Sequence, residues 1–107
     1  MVIPKRFDVY LVALDPAQGA EIKKTRPCVV VSPDEINRTV QTVLVAPMTT
    51  TIRRYPFRVG IRFEERDSHI AIDQIRVVDR TRLHRRLGAI SDDAARRLRA
   101  TLVEFFA

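Results

Sequence analysis

Hydrophobic and polar positions alternate in several short stretches of the chain, and this pattern predicts a protein built mostly of β-strands. The clearest alternation covers 56–63, where Phe57, Val59, Ile61 and Phe63 are separated by arginine or glycine. An alternation of this kind places one face of a strand in the core and the other in solvent. Further strands are predicted from apolar runs at 7–14, 27–32, 42–47 and 68–78. The run 27–32 is apolar without alternation, which is typical of a strand buried on both faces.

The alternation changes phase within 68–78. Apolar residues fall on even positions at Ile70 and Ile72 but on odd positions at Ile75 and Val77. Because side chains alternate strictly along a strand, we expect a bulge or a break at Asp73-Gln74. Bulges often turn side chains toward functional sites, so this pair is of interest.

Two helices are predicted. Apolar residues recur at helical spacing over 92–105, and Ser91 is suited to the N-cap position of this closing helix. A short helix is predicted after Ser32-Pro33, with Ser32 as its N-cap. The segment 79–86 is predicted to be a basic connector with at most one helical turn, ended by Gly88.

Short strands that follow one another without long helices between them favour an antiparallel sheet. We therefore expect a single α+β domain over 1–107: a small half-open antiparallel β-barrel that is closed by a C-terminal helix. A domain of this size has a high surface-to-volume ratio, so a partner subunit would help to stabilise it.

Composition adds a strong basic character to this picture. The chain has 19 Lys+Arg against 13 Asp+Glu, a net charge of +6, and 16 of the 19 are arginine. Arginine pairs with phosphate through two parallel hydrogen bonds and also stacks on bases. Arginines at 53, 54 and 58 flank Tyr55 and Phe57, and four more lie within 80–86. Basic residues interleaved with aromatic ones suit a single-stranded nucleic acid, although a generally basic, solvated surface would have the same composition.

Several classes of protein are disfavoured. The single cysteine, Cys28, excludes an internal disulfide, and its apolar neighbours indicate a buried, inert thiol. His69 and His84 are far apart and have no cysteine or histidine neighbours, so the sequence predicts no metal site and no cofactor. Neither a signal peptide nor a membrane span is indicated, and we expect a cytoplasmic protein.

The remaining inventory of arginine, threonine and carboxylates is sufficient to cut RNA. RNA carries its own nucleophile, the 2′-OH beside the scissile phosphate. A protein therefore needs only to align this hydroxyl, help its proton to leave and stabilise the negative charge that develops on the phosphate. A metal ion is optional for this chemistry.

Several short motifs follow one another along the chain. The first two are LDPAQGAE at 14–21 and TRPCVVVS at 25–32, and VAPMTT at 45–50, YPF at 55–57 and DQIR at 73–76 come after them. In this order the motifs resemble the MazF/PemK family of toxins over essentially the whole chain. The family patterns that these segments match are an L/F-D-P-x-x-G-x-E loop, R-P before an apolar strand, and V-x-P-hydrophobic-T-[ST].

The resemblance implies a fold, an activity and partners. The fold is of the MazF/CcdB type, a curled antiparallel sheet with a C-terminal helix. Family members are homodimers that cleave single-stranded RNA at short sequences and leave a 2′,3′-cyclic phosphate and a 5′-OH. A cognate antitoxin, usually with a flexible acidic tail, blocks the RNA groove.

The matching motifs also imply site residues. The catalytic candidates are Arg26, Thr49, Glu21 and Asp73. Six further residues are expected to contact RNA: Gly19, Thr50, Arg53, Tyr55, Gln74 and Arg76. Guanidinium does not release its proton near neutral pH, so Arg26 is expected to clamp the phosphate rather than act as a base.

The proton acceptor stays open among Glu21, Asp73 and the surroundings of the 2′-OH itself, with His69 as a lesser candidate. Ordinary structural roles remain as alternatives: Arg26 pairing with Glu21, Asp73 capping its own backbone, Gln74 tying backbone groups, and Arg76 pairing with Asp73 or Asp79. Thr49 has the alternative of satisfying a loop amide at a strand end.

The chain departs from the family at two places. A Gly-Asp pair that often follows the initial basic residues is Phe7-Asp8 here, and an arginine that assists catalysis in some members is replaced by Ala71. Two alternative functions on the same fold are a CcdB-like toxin that binds DNA gyrase and an inactive nucleic-acid-binding module. The absence of tryptophan disfavours the first, and the retention of Arg26 and Thr49 disfavours the second.

Overall fold

Strands dominate the computed structural model, which describes residues 3–107. The strands are β1 Asp8–Ala13, β2 Thr25–Val30, β3 Thr42–Thr49, β4 Arg58–Phe63, β5 Arg66–Ala71, β6 Arg76–Asp79 and β7 Leu83–Ala89. The helices are α1 Asp34–Thr39 and α2 Asp92–Phe106. In residues 3–107 no helix has both the length and the apolar character needed to span a membrane.

All strand pairs are antiparallel, in the order β4-β5-β3-β2-β1-β7, and β6 adds to β3. The strand β3 therefore has three neighbours: β6 along its first half, β2 over 45–47 and β5 at its end, where Thr49 pairs with His69. The expected break lies between β5 and β6, as a 3-10 turn at Ile72–Gln74. Because the chain leaves and rejoins β3 around this turn, the sheet curls into a half-open barrel, as predicted.

The core lies on both faces of the curled sheet. One cluster packs beneath α2 and includes Val29, Ile70 and Leu98, each fully buried. The other cluster includes Val45 and Cys28, which are also fully buried. Since β2 contributes to both clusters, the prediction of a strand buried on both faces is confirmed.

The closing helix was predicted almost to the residue. Ser91 is its N-cap, and its hydroxyl accepts a hydrogen bond of 3.1 Å from the amide of Ala94. Leu98 and Ala94 form the buried face. The first residues, Asp92 and Asp93, place negative charge at the positive end of the helix dipole.

The prediction of a basic connector over 79–86 is wrong for the second half of this segment. A single 3-10 turn does occur at Arg80–Arg82, but Leu83–Ala89 is a strand that pairs with β1. Gly88 does not end this strand; it adopts φ +146° inside it. Histidine and arginine occupy three consecutive exposed positions of β7, 84–86. The sequence there therefore lacks the alternation of apolar and polar residues that identifies a strand.

Two local predictions also fail. Pro33, not Ser32, is the N-cap of α1, and no side chain caps it. Ser32 is buried, and its hydroxyl donates to Asn37 Oδ1 at 2.5 Å and accepts from the amide of Leu44 at 3.1 Å. Phe57 precedes β4 with φ +62° and packs edge-on against Phe105 with ring centroids 5.3 Å apart, so it does not occupy the core side of the strand.

Candidate active site

An open cavity of about 520 Å³, which we call the main cavity, lies where the loop after β1, the start of β2, the end of β3 and the segment before β4 converge. Six of the ten candidate residues line it: Glu21, Arg26, Thr49, Arg53, Tyr55 and Gln74. Thr50 lines a smaller neighbouring cavity of about 250 Å³ that Arg26 also reaches. Asp73 and Arg76 line a third cavity of about 310 Å³, which shares Glu21 and Gln74 with the first. Gly19 lines none of the three.

Arg26 is the second residue of β2 and pairs with Val12 of β1. Its Nε donates to the carbonyl oxygen of Lys23 at 3.0 Å, which fixes the direction of the side chain. Within residues 3–107 no carboxylate forms an ion pair with Arg26, so its guanidinium keeps hydrogen-bond donors for an anion. The alternative of a pair with Glu21 is therefore not what the structure shows.

Thr49 ends β3 and is buried, with 8% of its surface exposed. Its Oγ accepts a hydrogen bond of 3.1 Å from the amide of Thr51. Since a hydroxyl can accept and donate at once, this bond satisfies the loop amide and leaves the O–H free to donate into the cavity. The structural role and the catalytic role of Thr49 are therefore compatible.

Glu21 lines the same cavity from the exposed loop 15–24. Its carboxylate accepts a hydrogen bond of 2.5 Å from the amide of Gln18. Gly19, between these residues, adopts φ +57°, and a Cβ at this glycine would meet no atom within 4 Å. The loop thus needs glycine there for its backbone conformation and not for space.

Asp73 has a fixed partner, Arg58 of β4. The two side chains form a bidentate ion pair, with Nε–Oδ1 at 2.6 Å and Nη2–Oδ2 at 2.9 Å. The hydrogen bonds from Arg58 hold the pKa of Asp73 below its usual range, and the bond to Asp73 raises the pKa of Arg58. A carboxylate with a lowered pKa and a committed cation is a weak proton acceptor.

Gln74 and Arg76 both bind backbone groups. Gln74 Oε1 accepts from the amide of Ile22 at 2.9 Å, and its Nε2 donates to the carbonyl of Ala20 at 3.1 Å. Arg76 donates to the carbonyl of Leu14 at 2.9 Å and pairs with neither Asp73 nor Asp79. The structural alternative for Gln74 is thus observed: it ties the loop 15–24 to the strand break.

The arginines of 80–86 are mostly engaged in the fold. Arg80 donates to the carbonyls of Asn37 and Val40 at the end of α1. Arg82 donates to the carbonyls of Ala13 and Asp15, at 3.1 and 2.6 Å. Arg86 pairs with the buried Asp8 at 3.1 Å, so dense positive charge in this segment mainly reflects structural contacts.

The sequence did not identify Arg58 as a wall of the main cavity. It was visible only as one member of a basic cluster, and its partner Asp73 is 15 residues away. The pairing of Arg58 with Ala71 across β4 and β5 brings the start of β4 next to the strand break. A correct strand register, rather than any local motif, was the signal that could have found it.

Other chemistry-bearing side chains lie apart from this cavity. Burial raises the pKa of the Cys28 thiol to about 12, in agreement with the prediction of an inert thiol. His69 lines a different cavity, and its Nδ1 has no hydrogen-bond partner among residues 3–107. That same part of the chain contains no group of three or more histidine, cysteine or acidic side chains placed to hold a metal ion.

Known proteins resemble the chain in sequence and in fold. The family model described as a PemK-like, MazF-like toxin of type II toxin–antitoxin systems matches residues 5–106. Endoribonuclease MazF of Staphylococcus saprophyticus is 36% identical over 94 residues, which are 82% of this chain and 78% of the relative.

Two solved structures share the fold at lower identity. The crystal structure of MazF from Deinococcus radiodurans has a TM-score of 0.85 and 23% identity, covering 99% of this chain and 98% of that one. An endoribonuclease in complex with its cognate antitoxin, from a mycobacterial species, has a TM-score of 0.81 and 22% identity, covering 96% and 94%.

Proposed function

Because the chain belongs to the family of PemK-like, MazF-like toxins of type II toxin–antitoxin systems, we propose that it is an endoribonuclease that cuts single-stranded RNA at a short sequence without a metal ion. The observation that carries this proposal is the meeting of Arg26 and Thr49 in one open cavity. Arg26 lies in the R-P motif and Thr49 in the T-[ST] motif of the family resemblance. Each has a hydrogen-bond donor available to a phosphate.

The proposed reaction is an attack by the ribose on its own phosphate. The 2′-oxygen forms a bond to phosphorus, the bond from phosphorus to the 5′-oxygen breaks, and the 2′-OH proton passes to an acceptor while the leaving oxygen is protonated. The products are a 2′,3′-cyclic phosphate and a 5′-OH. Arg26 and Thr49 donate hydrogen bonds to the phosphate oxygens, where negative charge develops.

Glu21 is the better of the two carboxylates for accepting the 2′-OH proton. It lines the cavity with Arg26 and Thr49, and its carboxylate forms no ion pair within residues 3–107. Asp73 lines a neighbouring cavity and is bound by Arg58. We therefore assign the acceptor role to Glu21 and no proton transfer to Asp73.

The proposed partners follow from the charge and the apolar surface of the molecule. Lys23, Arg26, Arg53 and Arg58 line the main cavity, which suits both RNA and the acidic tail of an antitoxin. One solved relative is an endoribonuclease in complex with its cognate antitoxin, which supports such a partner here. A homodimer is supported by an open apolar cavity of about 570 Å³ beside the end of α2, whose lining includes Val103, Phe106 and Val77.

The deciding experiment is cleavage of a long single-stranded RNA by the purified protein in excess EDTA, with the 5′ ends mapped. We expect discrete cuts at one short motif with 5′-OH ends. Arg26→Ala and Thr49→Val should each slow cleavage by roughly 10²- to 10³-fold, as expected for the loss of one transition-state donor. Arg62→Ala and Thr101→Val, which lie outside the cavity, are matched controls and should cut normally.

Each part of the proposal has its own contradicting result. Normal cleavage by either cavity variant would refute the site. Loss of activity in EDTA would refute the metal-free reaction, and 5′-phosphate ends would refute attack by the 2′-OH. Intact RNA after incubation with folded, antitoxin-free protein would refute the ribonuclease itself.

A further inference from the structure

Tyr55 is arranged as one layer of a stack at the rim of the main cavity. The guanidinium carbon of Arg58 lies 4.9 Å from the centroid of the Tyr55 ring, so one face of the ring rests on a planar cation. Tyr55 nevertheless keeps 52% of its surface exposed and lines the same cavity as Arg26 and Thr49. An aromatic ring that is covered on one side and open on the other is suited to receive a second flat group.

Arg58, which forms the layer beneath Tyr55, is held unusually firmly for an arginine near the surface. The Arg58 side chain is only 5% exposed, and its fork binds both carboxylate oxygens of Asp73. A bidentate pair fixes the plane of the guanidinium as well as its position. The Arg62–Asp67 pair on β4 and β5 differs, since its single contact of 3.1 Å joins two side chains that are 64% and 79% exposed.

We propose that Tyr55 is a specificity-determining residue: it stacks on one unpaired RNA base beside the scissile phosphate, and Arg58 and Asp73 are the positioning residues that hold its ring. This inference rests on the proposed ribonuclease function. It gives Asp73 a role that does not involve proton transfer, and it predicts a preference for purines, which offer the larger stacking surface, at one position of the cut sequence.

The first test combines a protein variant with an RNA lacking one base. After the cut sequence is mapped, abasic residues are placed at each position beside the cut. At one position the missing base should raise KM for the wild-type protein roughly tenfold, the effect expected for one stacked base. Tyr55→Ala should raise KM for intact RNA by the same factor. With this variant, removing the base should raise KM no further. If the abasic penalty is as large with Tyr55→Ala as with the wild-type protein, the inference is overturned.

The second test separates positioning from proton transfer at Asp73. Asp73→Asn and Arg58→Lys should raise KM and weaken the purine preference while kcat and its pH profile stay as in the wild-type protein. Asp67→Asn, which breaks an ion pair on the same two strands away from the cavity, should change neither constant. A large fall in kcat with unchanged KM in Asp73→Asn would overturn the positioning role.

A binding test remains informative even if the wild-type protein leaves RNA intact. The chain has no tryptophan, so Tyr55→Trp introduces a single indole at the proposed platform. Its fluorescence should be quenched by a short single-stranded oligonucleotide, and Asp73→Asn in the same background should reduce that quenching severalfold. An oligonucleotide that binds without changing the fluorescence would overturn the platform, whereas absent cleavage alone would overturn only the proposed enzyme.

Discussion

Phe7 occupies a backbone conformation that favours glycine. Its φ is +74°, and its amide and carbonyl are both used, in bonds of 2.7 Å to Val30 and 3.1 Å from Ile90. The Gly-Asp pair expected from the family resemblance would meet this φ without strain, because glycine has no Cβ. Here the phenylalanine ring packs against the core beneath α2, and the guanidinium of Arg99 lies 5.2 Å from its centroid. Packing of the side chain therefore offsets backbone strain.

This balance predicts the order of two variants. Phe7→Ala and Phe7→Gly both lose the ring, which should lower the free energy of unfolding by about 1–3 kcal/mol. Phe7→Gly also relieves the left-handed strain, so it should be more stable than Phe7→Ala by about 1 kcal/mol. Urea unfolding curves of the two variants measure this difference, and a less stable glycine variant would contradict the strain.

Cys28 should resist thiol reagents in the folded protein. Burial disfavours its thiolate and raises the pKa of the thiol to about 12, well above that of an exposed cysteine. At pH 8 iodoacetamide should label the thiol only as fast as the protein unfolds, and urea should accelerate labelling to the rate of a free peptide. Mass spectrometry of timed samples is the measurement, and rapid labelling of the native protein would contradict the burial.

At the scale of elements, the turn Ile72–Gln74 organises both walls of the site. Asp73 holds Arg58 and thereby Tyr55 on one side. Gln74 holds Ala20 and Ile22 on the other, next to Lys23, whose carbonyl directs Arg26. A short irregularity between two strands thus connects segments that are more than 50 residues apart in sequence.

Removing the Gln74 amide should loosen one wall without unfolding the protein. Gln74→Ala loses two hydrogen bonds, which should cost about 1–2 kcal/mol of stability. Trypsin should then cut faster after Lys23 and Lys24, and kcat for RNA cleavage should fall because Arg26 is less well directed. Gln41→Ala, whose amide makes one exposed contact of 3.4 Å with Asp79, is the control and should change neither rate. Equal trypsin sensitivity in both variants would contradict the role of Gln74 in holding the loop 15–24.

The sequence predicted elements better than contacts. The phase change after Ile72 located the strand break, and Ser91 located the start of α2, because both signals depend on neighbouring residues. The partners of Asp73 and Gln74 depend on register across the curled sheet, which no local pattern contains. The strand β7 was missed for a related reason: its pairing with β1 decides its structure, and its own sequence resembles a basic connector.

At the scale of the whole molecule, apolar side chains remain exposed around the end of α2. Val103 and Phe106 are 67% and 68% exposed, and Val77 on β6 is 61% exposed. They line one open apolar cavity together with residues of α1 and β3. A contiguous apolar surface of this kind is typical of a protein–protein interface.

We expect this surface to form the proposed homodimer. The wild-type protein should have twice the 12.3 kDa mass of one chain in light scattering. Val103→Asp and Phe106→Asp place charge in the interface and should shift the equilibrium to monomers, whereas Ile52→Asp, at an exposed apolar residue elsewhere, should not. Dimers of unchanged stability in both α2 variants would show that the interface lies on another surface.

The three neighbours of β3 have a consequence for how the site can be switched. Thr49 ends the strand that β2, β5 and β6 all bind, so its position is lost only when the sheet itself separates. The loop 15–24, by contrast, is attached to the rest of the fold by a few hydrogen bonds from the side chains of Gln74 and Arg82 and can open by itself. In hydrogen exchange, amides of β3 should therefore follow global unfolding while loop amides exchange by local opening. An inhibitor that displaces the loop could silence such a site reversibly, and its departure would restore activity without any refolding.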